Sequence, residues 1–443
     1  MGRLFGTDGV RGLAGTELTS DLAFGLGRAA VAVLGRHGEG HPTFVVGRDP
    51  RASGEWLGYA LTEGIRRAGG DVILAGIEPT PAVAFMTIDQ GASAGVVISA
   101  SHNPAEYNGI KFFDRAGMKL PDAIEDEIEA ALGDEPVTTT SMGHLRPIAE
   151  GRERYLRHLE GAALARLDGW RVVIDCANGA ASELAPELLR RLGAEVVAIN
   201  ASPDGTNINE GCGALHPDVV AAEVVHRGAD AGISHDGDAD RALFADHDGA
   251  VIDGDQVLAG CAVAMRDAGT LHDDTVIATV MSNVGFMRAM KEADIHVELA
   301  RVGDRYVLEE MRRLGASLGG EQSGHVIFAD HATTGDGLLT AVRFLTTAAA
   351  AGVGVSRLAS VMRRYPQVMI NVSVPDREAL ADAAAVEAAV DRAEASLGDA
   401  GRVLVRQSGT EPLIRVMVEA ETEAEARVHA ESVAQVVRAT LGY

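Results

Sequence analysis

The chain has 443 residues, 47% hydrophobic, 23% charged and 4% aromatic, too long for one core and composed like a globular protein packed from small aliphatic side chains. Its formal charge of −25 excludes a nucleic-acid surface and repels anions at long range, so an anionic ligand has to be met by a local cluster of arginines. Cys176, Cys212 and Cys261 match no disulfide or zinc spacing, the start carries no apolar leader, and no uncharged run approaches the roughly 20 residues of a membrane span, which predicts a cytoplasmic protein without membrane contact.

Thr43–Val46 reads as a strand, Gly47-Arg48-Asp49-Pro50-Arg51 as a loop, Ser53–Arg67 as a helix and Asp71–Leu74 as a returning strand. Gly95–Ile98 is a buried-strand run that Pro104 stops. A second unit runs from Arg171–Asp175 through Asn178-Gly179 into a helix near Glu183–Leu192 and on to Glu195–Ile199. A third runs from Thr275–Val280 through Asn283-Val284-Gly285 into a helix ending at Glu292, then Ile295–Leu299. Repeated βαβ units predict mostly parallel sheets with functional loops at strand carboxyl ends. Beyond residue 365 the pattern changes: Val368, Ile370, Val372 and Val374 alternate with polar positions, an Ala-rich helix follows, then Arg402–Arg406, a tight turn, Ile414–Glu419 and a final helix from Glu421 to Leu441. The expected fold class is α/β: three βαβ-containing mixed-sheet domains (1–150, 151–252, 253–365) and a smaller α+β domain (366–443) around a central cleft.

Four segments carry chemistry. Ser101, in Ile98-Ser99-Ala100-Ser101-His102-Asn103-Pro104, falls on a turn just past a strand end, and Lys111 ten residues on can return beside it. Lysine occurs only at 111, 119 and 291, so each is worth attention. The surroundings are not Gly-x-Ser-x-Gly, which leaves a hydrolase elbow unsupported and an ordinary Ser-Asn-Pro turn as the bland alternative. In His235-Asp236-Gly237-Asp238-Ala239-Asp240-Arg241, carboxylates at every second position share one face of an extended loop and can close on a hard cation. An EF-hand fails, because Arg241 and His247 occupy the positions that need glycine and glutamate; a solvated acidic turn remains. Gly319-Gly320-Glu321-Gln322-Ser323-Gly324-His325 lets backbone approach a ligand and offers an acceptor and a hydroxyl to adjacent sugar hydroxyls, although a glycine turn capping a strand has the same composition. In Arg406-Gln407-Ser408-Gly409-Thr410-Glu411-Pro412 with Arg415, turn N–H groups and two guanidinium forks suit a phosphate, and a structural hairpin is the alternative.

In this order the four motifs resemble the α-D-phosphohexomutase family across essentially the whole chain, beginning at Phe5-Gly6-Thr7-Asp8-Gly9-Val10-Arg11-Gly12. The branch acting on glucosamine phosphates is the most similar, on that start, Asn108-Gly109-Ile110-Lys111, Val302-Gly303-Asp304-Arg305-Tyr306-Val307 and Gln322. Pro50 departs from many relatives. The resemblance implies a phosphoserine at Ser101, Mg²⁺ on Ser101, Asp236, Asp238 and Asp240, and Lys111, Arg11 and Arg241 around them. It implies proton transfer by His325, sugar contacts from Glu321 and Ser323, and a phosphate clamp of Arg406, Ser408, Gly409, Thr410 and Arg415. The implied reaction interconverts glucosamine 6-phosphate and glucosamine 1-phosphate through a 1,6-bisphosphate, which is also the activator, and feeds UDP-N-acetylglucosamine and cell-wall synthesis. Expected partners are small sugar phosphates and a second copy in a homodimer. Rival readings are a mannose- or glucose-phosphate mutase of the same mechanism and a non-catalytic sugar-phosphate sensor, which would need no phosphoacceptor serine.

Overall fold

Apolar strand runs alternating with amphipathic helices build three mixed sheets and one small antiparallel sheet in this computed structural model, which describes residues 3–6, 8–37, 41–133, 141–408 and 412–442. The chain divides into two compact units, Met1–Met281 with Ile295–Val361, and Ser282–Asp294 with Met362–Tyr443.

In the first unit, β1 (Val10–Leu13), β2 (Thr43–Arg48), β3 (Asp71–Ile77), β4 (Ala94–Ile98), β5 (Tyr107–Asp114) and β6 (Leu145–Pro147) lie in the order β1-β5-β4-β2-β3-β6. Helices α1 (Ser20–His37), α2 (Ala52–Arg67), α3 (Thr80–Asp89) and α4 (Asp122–Ala131) accompany them. Every residue of β4 is buried, as expected of a central strand covered on both faces. After α5 (Gly151–Gly161), the second sheet joins β7 (Arg171–Asp175), β8 (Glu195–Ile199), β9 (Ala231–His235), β10 (Ala242–Asp246) and β11 (Val251–Ile252) in the order β11-β10-β9-β7-β8, with α6 (Leu184–Arg191) and α7 (Pro217–Arg227). The third sheet, ordered β13-β12-β14-β15, holds β12 (Thr275–Thr279), β13 (His296–Ala300), β14 (Leu318–Gly320) and β15 (Val326–Phe328). Its surrounding chain includes α8 (Gly254–Asp267), α10 (Asp304–Leu314), α11 (Gly337–Ala351) and α12 (Val355–Ala359), while α9 (Val284–Glu292) belongs to the second unit.

The sheets are less parallel than the βαβ pattern predicts. β5 runs antiparallel to β4, β10 to β9 and β15 to β14. The reason is loop length: a parallel return needs a crossover of about a dozen residues or more, and the short Ser101, Asp236 and Glu321 segments permit only a hairpin. Each motif loop is thereby held by two hydrogen-bonded strand ends.

In the second unit, β16 (Gln367–Ser373), β17 (Arg402–Gln407) and β18 (Leu413–Glu419) form an antiparallel sheet, β16-β18-β17, with α13 (Ala384–Leu397) and α14 (Glu423–Leu441). Ile414, Val416 and Val418 face Ala426, Ala430, Val433 and Val437 in one apolar core. Helix α9, which the sequence places between third-sheet strands, is tied here. Asn283 donates to Tyr365 O and to Glu419 Oε1, both at 3.0 Å, and Val284 N–H donates to Glu419 Oε2 at 2.8 Å. Tyr365 N–H returns a bond to Asn283 Oδ1 at 2.9 Å. Glu419 is fully buried, so removing it takes the acceptor from two donors, Asn283 Nδ2 and Val284 N–H. Glu419→Ala is expected to cost about 2–4 kcal/mol of stability, read by denaturant unfolding, while Glu423→Ala on the exposed end of α14 costs little.

Candidate active site

β4 ends at Ile98 and the chain turns through residues 99–106 before returning as β5. Within that turn Ser101 is buried and takes φ +52°, a conformation a residue with Cβ adopts only when its surroundings impose it. Its N–H donates to Ser99 Oγ (2.9 Å) and its hydroxyl donates to Asp236 Oδ2 (2.6 Å). His102 Nδ1 lies 3.3 Å from the same hydroxyl, and burial followed by Arg241 and Arg11 pushes that imidazole down to about 4, so it is neutral at physiological pH.

The turn owes its shape to Arg51. This guanidinium is fully buried and donates to the carbonyls of Ser101 (2.9 Å), Asn103 (2.8 Å), Tyr107 (3.0 Å) and Pro104. Asp49 holds it from the other side (2.9 Å) and accepts the Ser99 hydroxyl at 2.6 Å. Asn209 adds bonds to Ser101 O and Asn103 O at 2.9 and 3.0 Å.

Asp236, Asp238 and Asp240 occupy the turn between β9 and β10, all buried, each offering an oxygen within 4.8 Å of the others. Gly237 admits the serine turn: a Cβ there would stand 2.6 Å from Ser101 O. Burial pushes the Asp236 carboxyl well up, and the charges of Asp240 and Asp238 add to it. Asp240 moves up for burial and the Asp238 charge. Burial alone would raise Asp238 as well, but Lys111, with Nζ 3.1 Å from Oδ2, and the Thr80 hydroxyl at 2.7 Å hold it well below the usual range. Lys111 is itself kept protonated, because Asp238, Asp8 and Asp240 outweigh its desolvation. One lysine therefore balances one of three carboxylates. Asp238 Oδ1 and Asp240 Oδ1 are buried without a hydrogen-bond partner among the described residues. An oxygen-only, under-neutralised cluster with orphaned carboxylate atoms fits a hard divalent cation.

Arg241 Nε stands 3.7 Å from Asp240 Oδ1, and the charge of the Asp236 carboxylate, then Asp240, keeps this guanidinium ionised despite burial. Arg11 is paired with Asp8, which also pairs with Lys119; Lys119 in turn pairs with Asp304. His325 is buried with Nε2 3.8 Å from Asp304 Oδ2, and neither ring nitrogen has a hydrogen-bond partner among the described residues. In the β14–β15 loop Glu321 Oε1 accepts Gly303 N–H at 2.9 Å, and Ser323 Oγ is buried without a hydrogen-bond partner among the described residues. Asp304 and Gly303, from the Val302–Val307 motif, thus stand against the sugar-loop residues.

In the second unit Arg406 and Arg415 face each other directly across the β17–β18 ladder, and desolvation and the Arg415 charge lower the proton affinity of Arg406. Like charges so placed repel, and an anion between them would relieve the repulsion. Ser408 is buried at the strand end, its N–H donating to Leu413 O (2.9 Å) and its carbonyl accepting Arg377 Nη1 (2.6 Å). Gly409 and Thr410 lie outside the described residues.

Four family models match in sequence: phosphoglucomutase/phosphomannomutase alpha/beta/alpha domains I (residues 2–137), II (153–249) and III (253–365), and the C-terminal domain (369–436). The chain belongs to the phosphoglucomutase/phosphomannomutase family. It is 54% identical to a phosphoglucosamine mutase of Thermobifida fusca over 99% of this chain and 98% of that one. A phosphoglucomutase/phosphomannomutase family protein of Burkholderia thailandensis has the same fold, with TM-score 0.82, 26% identity, and coverage of 99% of this chain and 97% of that one. So does an N-acetylphosphoglucosamine mutase of Aspergillus fumigatus, solved with GlcNAc-6P and magnesium, with TM-score 0.66, 17% identity, and 99% and 96% coverage. As a phosphohexomutase the chain is an isomerase that transfers phosphate within one molecule.

The sequence reading leaves out Arg51, Asp49, Thr80 and Asn209, all of which shape this phosphohexomutase site. Arg51 stands inside a segment read only as a loop; a charged pair flanking a proline between a strand and a helix is the one local hint. Arg51→Lys cannot reach four carbonyls and a carboxylate together, and is expected to cost about 2–4 kcal/mol and to lower mutase turnover well beyond the loss of folded protein, measured by unfolding and steady-state rates on the same samples.

Proposed function

We propose that the chain is a phosphoglucosamine mutase, interconverting glucosamine 6-phosphate and glucosamine 1-phosphate through a phosphoserine at Ser101. The observation that carries the mechanism is the 2.6 Å bond from the Ser101 hydroxyl into a buried three-carboxylate cluster, where a phosphoacceptor would meet a cation. The amino-sugar choice is supported by 54% identity over nearly full length to a protein of that name.

Phosphoserine 101 gives its phosphoryl group to O1 of the sugar: the P–Oγ bond breaks, a P–O1 bond forms, and the O1 proton passes to His325. In the second transfer the P–O6 bond breaks, a P–Oγ bond forms again on Ser101, and O6 takes up the proton that His325 holds. His325 suits proton transfer because its ring nitrogens are committed to no other hydrogen bond. Lys111, held charged by Asp238, serves as a fixed cation beside the phosphoserine, joined by Arg11 and Arg241. Glu321 and Ser323 contact sugar hydroxyls, and Arg406, Ser408, Gly409, Thr410 and Arg415 hold the phosphate that is not reacting. A magnesium ion on Asp236, Asp238, Asp240 and a phosphoserine oxygen would supply Lewis-acid neutralisation of the transferring phosphoryl. The product would enter UDP-N-acetylglucosamine and cell-wall precursor synthesis.

Ser101→Ala is expected to abolish mutase activity with the fold kept, and intact-mass analysis to show a phosphate adduct on the wild type that the variant lacks. Near-normal turnover by Ser101→Ala sinks the assignment. For substrate choice, kcat/KM on glucosamine 6-phosphate is expected to exceed that on glucose 6-phosphate and mannose 6-phosphate by about tenfold or more, ~1.4 kcal/mol of transition-state discrimination. Equal turnover of mannose 6-phosphate would move the protein to the phosphomannomutase reading, and binding without turnover of any of the three to the sensor.

A further inference from the structure

The three-aspartate turn is gripped from behind by the starts of two helices. Thr80, which opens α3, donates its N–H to Asp238 O at 3.0 Å and its hydroxyl to Asp238 Oδ2 at 2.7 Å. Gly337, which opens α11, donates its N–H to Ala239 O at 3.0 Å. Ala239 is buried between two of the carboxylates with φ +54°, a left-handed conformation that a Cβ makes unfavourable unless something outside the turn holds it. A Cβ on Gly337 would stand 2.3 Å from Arg241 O and 2.8 Å from His235 Nδ1, so α11 approaches the turn as closely as a backbone can.

These two helices are joined through α5. The Tyr155 ring packs on Phe85 of α3 with centroids 5.5 Å apart, and the Tyr155 hydroxyl donates to Asp336 Oδ2 at 2.6 Å. Asp336 is the N-cap of α11: its Oδ1 accepts Leu339 N–H at 2.9 Å and its carbonyl accepts Thr340 N–H at 2.8 Å. Tyr155 and Asp336 are both buried. A closed ring results, from Asp238 through Thr80, Phe85, Tyr155, Asp336 and Gly337 back to Ala239. Closing a ring sets the spacing between its two grips on the turn, which an open chain leaves free.

We propose that Tyr155 and Asp336 are positioning residues for the metal turn, fixing through α3 and α11 where the three carboxylates point; this rests on the reading of Asp236, Asp238 and Asp240 as metal ligands. Both bear on the turn through the two helices, and neither stands out in the sequence.

Tyr155→Phe removes one oxygen and keeps the ring. Mn²⁺ binding to the full-length protein, followed by the loss of the free-ion electron paramagnetic resonance signal without any sugar phosphate, reads the turn apart from turnover. Tyr155→Phe is expected to weaken Mn²⁺ about three- to tenfold, at the low end of what outer-shell partners contribute. Asp336→Ser, which keeps a cap acceptor but is too short to meet the Tyr155 hydroxyl, is expected to weaken it likewise, and the double variant no more than the stronger single one, because both act through one bond. Val224→Ala, a cavity in the core of the second sheet, is expected to lower the melting temperature and leave Mn²⁺ affinity alone. Unchanged affinity in Tyr155→Phe, additive effects in the double variant, or equal weakening in Val224→Ala each overturn the proposal. Should Tyr155→Phe not fold, Asp336→Ser alone gives the same reading. A wild type that binds no Mn²⁺ overturns the metal reading itself, a different result from a wild type that binds and a Tyr155→Phe that binds equally.

Discussion

Three carboxylates buried within 4.8 Å of one another repel, and burial weakens the screening that exposed charges would have. The surroundings respond with Lys111 on Asp238, Arg241 beside Asp240 and the Ser101 hydroxyl on Asp236. Burial first, and then the neighbouring carboxylates, push Asp236 and Asp240 toward protonation, while Lys111 and Thr80 hold Asp238 ionised. A protein that wanted only stability would replace such a cluster with apolar side chains. Keeping it poised for a cation requires rigid support, and most of the buried polar contacts described above serve that end. For a phosphohexomutase this is apt, since phosphoryl transfer asks for neutralised charge and fixed positions more than for covalent chemistry.

The support comes from hairpins. The Ser101, Asp236 and Glu321 loops each join antiparallel neighbours, and so does the Ser408 turn. A loop between paired strands has both feet on a sheet, so its few residues can hold unusual backbone. Ser101 and Ala239, both with positive φ, sit in such loops. The same geometry explains why the βαβ pattern overstates parallel pairing: the crossovers build the sheet interiors, and the chemistry sits where the chain doubles back.

Much of this was legible in the residues. The strands Arg171–Asp175 and Glu195–Ile199 stand where their apolar periodicity puts them, and the Asp-x-Asp-x-Asp spacing announces an oxygen cluster because alternate positions of an extended loop share a face. Lys111 returns to the cluster that Ser101 also meets, with its Nζ on Asp238. What stayed hidden is long-range. Arg51 meets Ser101 across 50 residues, Thr80 meets Asp238 across 158, and Tyr155 meets Asp336 across 181. Single arginines, threonines and tyrosines have no periodicity to betray them. Helix α9 shows the same limit: its pattern gives a helix, but Glu419 decides which unit holds it.

The Arg51 clasp has one further consequence. With three carbonyls of the serine turn and the first of β5 bound by one buried guanidinium, the backbone that carries the serine oxygen is held in one place. In the proposed reaction both phosphoryl transfers happen at that point, yet they involve opposite ends of the sugar. The moving part must then be the ligand: the bisphosphate has to let go, swing end for end and dock again without escaping to solvent. Its two docked orientations need comparable affinity, because a strong preference for either would stall the exchange. The site is therefore expected to grip the sugar modestly and the phosphates firmly, a division of labour imposed by an arginine whose donors all go to the protein's own oxygens.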